Sequence, residues 1–205
     1  AGGSEFELSE TQMNLYAEVS QNNEVIPGIT NEVLLEVKRM WKSFSIRLYV
    51  PLIDMQHLWL IKMVVELEEA LKANYDQRLN LLIDLLPDVK SYVEERFAAE
   101  EAMMDALGYP AAQGHKKLHE VFTRTVTSHD AEYATRTRHG AAVLVHDLKD
   151  WLLTHIVIED AKFAKLCREK SAEAMKVSKQ IIAEKKAKFK KAQILLYQYI
   201  TGKQT

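Results

Sequence analysis

The sequence predicts an all-α protein: an antiparallel up-down four-helix bundle with additional N-terminal and C-terminal helices. Three observations carry this. Apolar residues recur at helical spacing over most of the 205 residues, and strand-like alternation is almost absent. Only 7 Gly and 4 Pro interrupt the chain, so breakers are few. The breaks lie between long periodic segments and leave short connections, which makes successive helices antiparallel neighbours.

The elements follow in order. Residues 1–8, AGGSEFEL, read as an expression scar and are set aside from the fold. A first helical stretch covers roughly 9–22 and ends before the Pro27-Gly28 break. Thr30 offers an N-cap to a segment with Val33, Leu34, Val37 and Trp41 on one face. After the irregular SIRLYVPLI, Asp54 is a second N-cap candidate, opening a helix over roughly 54–74. The next helix runs roughly 77–107, with Pro87 either kinking it or marking its start, and Gly108-Tyr109-Pro110 ending it. A further helix covers roughly 112–130. The polar RTRHG at 136–140 breaks the chain, and another helix covers roughly 141–167. Residues 169–200 read as one last helix, interrupted by the lysine cluster KKAKFKK. The domains are then an N-terminal extension over 9–47, the bundle over 48–167 and a basic amphipathic tail over 168–205.

The chain is 47% hydrophobic and 27% charged, as a soluble globular domain is. A net charge of −2 gives no reason to expect nucleic acid as a partner. The charge is uneven, however: ten Lys/Arg against three Glu from Arg168 onward make the tail +7, which leaves −9 for the rest. Cys167 stands alone, so there is no internal disulfide, which suits a reducing, cytoplasmic setting. No apolar run is long enough for a transmembrane segment.

Seven histidines are spread over the chain, and four of them, His57, His115, His119 and His155, fall inside apolar helical patterns. A single buried histidine is more often a hydrogen-bonded core residue than a ligand. His115 and His119 sit at i and i+4, on one side of a helix, yet as a pair beside two lysines they read equally well as surface residues. The combination is more informative. Imidazoles on three helices, with Glu100 on the fourth and acids after His155, would converge inside a bundle as a metal site. Imidazole plus carboxylate suits iron, with manganese or zinc as alternatives.

Four motifs, IDMQH (53–57), RFAAEEAMMDALGYP (96–110), HKKLHEVF (115–122) and WLLTHIVIED (151–160), resemble in order and spacing those of the bacterial hemerythrin family. The resemblance covers roughly 48–167. It implies a four-helix bundle around non-haem iron, a di-iron centre that binds O2 reversibly. It further implies His57, His115, His119 and His155 as histidine ligands, with Glu100 and Asp160 bridging. On an ideal helix Glu159 would sit better beside His155 than Asp160 does, and the motif, not the geometry, favours Asp160.

One position departs. Where the family pattern is His-Phe-x-x-Glu-Glu, this chain has Arg96-Phe97-Ala98-Ala99-Glu100-Glu101. Arginine has no lone pair to give and cannot ligate. In the family the replaced histidine belongs to the iron with two histidines, while the set His115, His119 and His155 is complete. Four outcomes are open. A second ion still binds through His57, Glu100 and Asp160. One ion binds, and Arg96 replaces the other electrostatically. Arg96 turns outward to Glu94, Glu95 or Asp105. Or the site holds no metal. A di-iron centre altered at one position ranks just ahead of a single-ion centre.

Function reads first as binding of O2 or a similar small diatomic, as a carrier or sensor domain. The alternatives are a redox enzyme acting on peroxide or nitric oxide, and an interaction scaffold with a relic single-metal site. His129, His139 and His146 read as exposed or remote from the site, Met63, Met103 and Met104 as core filler, and Trp59, Phe97, Tyr109, Phe122 and Trp151 as aromatics around it. The N-terminal stretch could be the end of a longer signalling helix, since the family occurs fused to chemoreceptors. The basic tail would dock on the acidic bundle, +7 meeting −9 and its apolar set Ile194, Leu195, Leu196, Tyr199 and Ile200 seeking burial, with a partner protein, an anionic membrane or a solvated helical extension as the alternatives.

Overall fold

A computed structural model describes residues 24–72, 75–127 and 136–202. The chain is all-α, and no β-strand occurs among the described residues, only an isolated bridge between Ile26 and Ile29. The expected helix over 9–22 and His129 lie outside them. No helix among the described residues is long and apolar enough to cross a membrane.

Helix α1 (Asn31–Ser43) starts at Thr30, whose hydroxyl accepts from the Val33 N–H. Helix α2 (Pro51–Ala70) begins earlier than the sequence pattern indicates. Its cap is Val50, with Pro51 in the first turn, where a missing N–H costs nothing. Asp54 is not the cap. Its carboxylate reaches back to the Leu48 and Tyr49 N–H groups at 2.8 and 3.0 Å, pinning the 44–50 connection, in which Tyr49 has φ 63°.

Helix α3 (Tyr75–Leu107) is continuous through Pro87, which lies exposed, so water can satisfy the carbonyl left without a donor. It ends as GYP requires: Gly108 has φ 66°, and the Tyr109 N–H returns to the Met104 carbonyl at 2.9 Å. Helix α4 (Ala112–Thr127) follows after a short connection. The break at RTRHG lies earlier than expected. Thr137 caps α5 (Arg138–Thr154), accepting from the Gly140 N–H, so residues 138–140 are already helical.

Two further departures matter. The segment expected as one regular helix after α5 passes through a π-helical turn (His155–Asp160) before α6 (Ala161–Glu169). The segment expected as one final helix is two, α7 (Ser171–Ala183) and α8 (Lys191–Thr201). Lys185 in the link has φ 57°, and the lysine run is a corner rather than a helical turn.

The bundle is α2, α3, α4 and the α5–π–α6 rod. Two buried apolar clusters fill it. One holds Phe97, Phe122, Leu152 and Ile156, the other Ala99, Met103, Met104 and Phe163, so they flank the same level of α3 and of the rod. The face that α8 turns to α2 is apolar: Leu195, Leu196, Tyr197 and Ile200 join the first cluster, and the Gln193 amide donates to the Tyr92 hydroxyl at 3.0 Å. Lys185, Lys186, Lys188, Lys190 and Lys191 stay exposed. Trp59, expected near the histidines, instead has Lys62 and Lys190 over its ring.

Candidate metal centre

One level of the bundle is polar inside. Asp54 apart, the buried carboxylate, imidazole and guanidinium side chains among the described residues are His57 from α2, Arg96 and Glu100 from α3, His115 and His119 from α4, and His155 and Asp160 from the π turn. One donor atom from each of Glu100, His115, His119, His155 and Asp160 lies within 4.8 Å of every other. His57 is buried beside them, its Nε2 2.7 Å from Asp160 Oδ2.

The π turn is what turns Asp160 inward. On an α-helix, residues five apart diverge. A π turn adds a residue to the turn and bonds i to i+5, so His155 and Asp160 share a face, with His155 Nε2 3.1 Å from Asp160 Oδ1. Glu159, which a regular helix would have favoured, is half-buried and pairs with Lys162 at 3.4 Å. Arg96 does not turn outward to Glu94, Glu95 or Asp105. It is 0% exposed and points into the cluster.

The two carboxylates divide the site. Glu100 Oε1 is 2.7 Å and Asp160 Oδ1 3.0 Å from His115 Nε2, and His119 Nε2 and His155 Nε2 face each other at 3.0 Å. Glu100 Oε2 and Asp160 Oδ2 face the other way, to Arg96 Nη2. On the imidazole side, Glu100 Oε1, Asp160 Oδ1 and His115 Nε2 are buried with no aligned hydrogen bond despite these short separations. Lone pairs crowded in this way fit a cation. Ligands at right angles on an ion with bonds of about 2.1 Å stand about 3 Å apart, as these donors do. The imidazole half therefore fits a metal ion, and imidazole with carboxylate suits iron.

Aromatic rings wall this half. Phe97 stacks on His119 with centroids 3.7 Å apart, Trp151 stacks on His155 at 4.6 Å, and Phe122 backs Trp151 at 4.0 Å. The Tyr109 edge meets His115. Met103 and Met104 are buried in the adjoining cluster. His139 and His146 are exposed. Sequence reasoning left one neighbour without a role: Glu101, whose Oε2 lies 3.6 Å from the outer nitrogen of His119. Its signal was the second glutamate of the pair. Cys167 is free and buried, and burial, with Glu100 nearby, pushes its thiol up to about 12, so it is an inert core thiol.

The protonation pattern of the metal-free site follows from burial and from Arg96. Burial first, then Arg96, lowers His57 to about 4 and His119 to about 2, and burial also lowers His155. For His115 burial is again the largest influence, but Asp160 and Glu100 outweigh it and raise the ring to about 9. Burial and the neighbouring Asp160 raise Glu100. Asp160 is lowered because Arg96 and three histidines overcome the effect of burial.

These shifts set a pH dependence for the metal-free fold. His57, His119 and His155 fold neutral, so their contribution is full above the ordinary imidazole value and is lost as pH falls below it. Glu100, protonated in the fold, acts in the opposite sense: its contribution is present at low pH and fades as pH rises through its folded value. Between about pH 4.5 and 6.5 unfolding then takes up roughly two protons net, a slope of roughly 2–3 kcal/mol per pH unit. His115 reverses the sign above this range, its contribution fading toward pH 9. The expected outcome is a stability maximum near neutrality with a steep acid limb, read from urea midpoints between pH 5 and 8. A flat profile would show that the histidines are not held neutral.

Comparison with known proteins locates the same region. The family model described as "Hemerythrin HHE cation binding domain" matches residues 49–167. A bacteriohemerythrin of Pseudomonas aeruginosa is 32% identical over 130 residues, which is 62% of this chain and 80% of that protein. One of Stenotrophomonas maltophilia is 32% identical over 128 residues, 61% and 78% of the two chains. One of Clostridium acetobutylicum is 24% identical over 129 residues, 60% of this chain and 97% of that one. No solved structure matches the chain significantly.

Proposed function

The chain belongs to the hemerythrin family, as a non-haem iron-binding domain, and on that premise we propose that its iron serves to bind O2 or a related small diatomic, in a carrier or sensory role. The observation that carries this is the convergence of five buried donors, Glu100, His115, His119, His155 and Asp160, three of which (Glu100 Oε1, His115 Nε2 and Asp160 Oδ1) have no hydrogen-bond partner. Those five residues would hold the ion. When bound, it supplies a redox-active centre for a small ligand.

The protein's own residues prepare that place. Glu100 and Asp160 provide the negative charge that attracts a cation into the core. The π turn aims Asp160, and the stacked Phe97 and Trp151 fix the ring planes of His119 and His155 and keep bulk water from them. Access for a small molecule is short. A groove lined by Phe97, Glu101, His119 and Thr123 reaches one ligand ring, and another lined by Leu118, Trp151, Thr154 and His155 reaches a second.

The test begins with anaerobic addition of Fe²⁺. A ligand that binds only the folded state at 100 times its dissociation constant adds about 2.7 kcal/mol, so the melting temperature should rise and fall back on chelation. Cycling the loaded protein between argon and O2 should then give a reversible absorbance change. Thermal stability indifferent to Fe²⁺ would remove the metal role. Steady consumption of peroxide or nitric oxide, with no reversible change, would replace binding by catalysis.

A further inference from the structure

We infer that Arg96 is a built-in cation standing where a second metal ion would otherwise sit, so that this centre holds one ion and not two. This rests on the reading that the histidine cluster binds metal.

The geometry is that of a cation among its ligands. Arg96 Nη2 lies 2.6 Å from His57 Nε2 and 3.1 Å from Glu100 Oε2, and contacts Asp160 Oδ2 more closely still. These three atoms come from three helical elements and meet at one nitrogen. Burial first and then the Arg96 charge hold the His57 ring neutral beside the guanidinium, which can only donate. His57 Nε2 also lies 2.7 Å from Asp160 Oδ2, so His57, Asp160 and Glu100 all close on the one guanidinium nitrogen. Each carboxylate therefore bridges. Glu100 turns Oε2 to Arg96 and Oε1 toward the imidazoles, and Asp160 does the same with Oδ2 and Oδ1.

A second ion would have to displace this group, and the structure offers no exit. Arg96 is fully buried on the interior of α3, and its Cζ lies 5.4 Å from the centre of the Phe97 ring. Arginine keeps its charge under all ordinary conditions, so it repels a divalent ion brought alongside it. Nor are enough ligands left over: with Glu100 and Asp160 shared with the first ion, His57 is the sole imidazole on that side. The substitution also removes the metal-free protein's chief electrostatic problem, since a single positive charge is already in contact with both buried carboxylates.

The test is metal stoichiometry, measured by elemental analysis after anaerobic loading with Fe²⁺ and desalting, and repeated with Co²⁺. The expected value is about one ion per chain, as a single complete set of ligands implies. Arg96→His, checked by circular dichroism for retained helix, should raise it to about two. Arg96→Lys, which keeps the charge without adding a usable ligand, should leave it at about one. About two ions in the unaltered protein would overturn this inference alone and leave the metal-binding role standing. No ion in the unaltered protein would overturn both. A folded Arg96→His protein that stays at about one would also overturn it, because the lost histidine would then not be what limits the count. With Co²⁺, the saturated unaltered protein should give the electron paramagnetic resonance of isolated ions, and a signal lost by coupling on saturation would overturn the inference without any variant.

Discussion

Asp160→Ala is expected to destabilise the metal-free protein by about 3–5 kcal/mol, the usual loss when one partner of a buried ion pair is removed. Asp160 is 0% exposed, and its two oxygens serve Arg96 and His57 on one side and His115 and His155 on the other. Its removal leaves Glu100 as the one carboxylate beside a buried guanidinium whose Nε and Nη1 already have no hydrogen-bond partner. A loss of this size is a large share of a typical domain stability of about 5–15 kcal/mol, so the variant should unfold at much lower urea. The control is Glu159→Ala. Glu159 is half-buried and pairs with Lys162 near the surface, and a change of that kind should stay within about 0.5 kcal/mol. The same pair reports on metal. Asp160→Ala should abolish the Fe²⁺-dependent rise in melting temperature, and Glu159→Ala should preserve it. Equal effects from the two would mean that the π turn does not select between the neighbouring acids.

That comparison also marks where the sequence could be read and where it could not. The bundle was legible because helical periodicity and the turn chemistry of Pro27-Gly28 and Gly108-Tyr109-Pro110 are local signals. The residues of the site were legible because their motifs are. What the sequence could not supply was geometry depending on contacts between helices. A π turn has no signature in propensity, and HIVIED looks like any helical stretch. Only burial of His155 and Asp160 on one face shows that the turn must be widened. The two-helix form of the tail was missed because Ala187 and Phe189 continue an apolar pattern across the corner, while the chain turns there to lay Leu195 and Leu196 against α2. The tail offers both a charge complement to the bundle and an apolar set, Ile194, Leu195, Leu196, Tyr199 and Ile200; it is the apolar set that packs in the first cluster, and the lysines remain in water. Arg96 was visible as an anomaly at once. Its direction was not, since an arginine can extend to solvent from almost any helical position, and only the three acceptors converging on Nη2 fix it inside.

If Arg96 and Asp160 act as a single ion pair, their losses cannot add. Arg96→Met should by itself cost about 3–5 kcal/mol in the metal-free protein, because it leaves Asp160 and Glu100 buried with no fixed cation. The double variant Arg96→Met with Asp160→Ala removes both members, and most of the second penalty should vanish. Well-packed apolar replacements of buried ion pairs are often neutral or even stabilising, and coupling within such networks commonly reaches about 0.5–3 kcal/mol. The expected cycle therefore has two costly single variants and a double variant well short of their sum, with the shortfall read from urea denaturation at neutral pH. Glu100 remains in the double variant, and its raised pKa allows it to go neutral by taking a proton, so the deficit should shrink further as the buffer is made mildly acidic. Strictly additive losses would mean that Arg96 is held by packing and not by charge, and its place as a surrogate cation would then have no energetic basis.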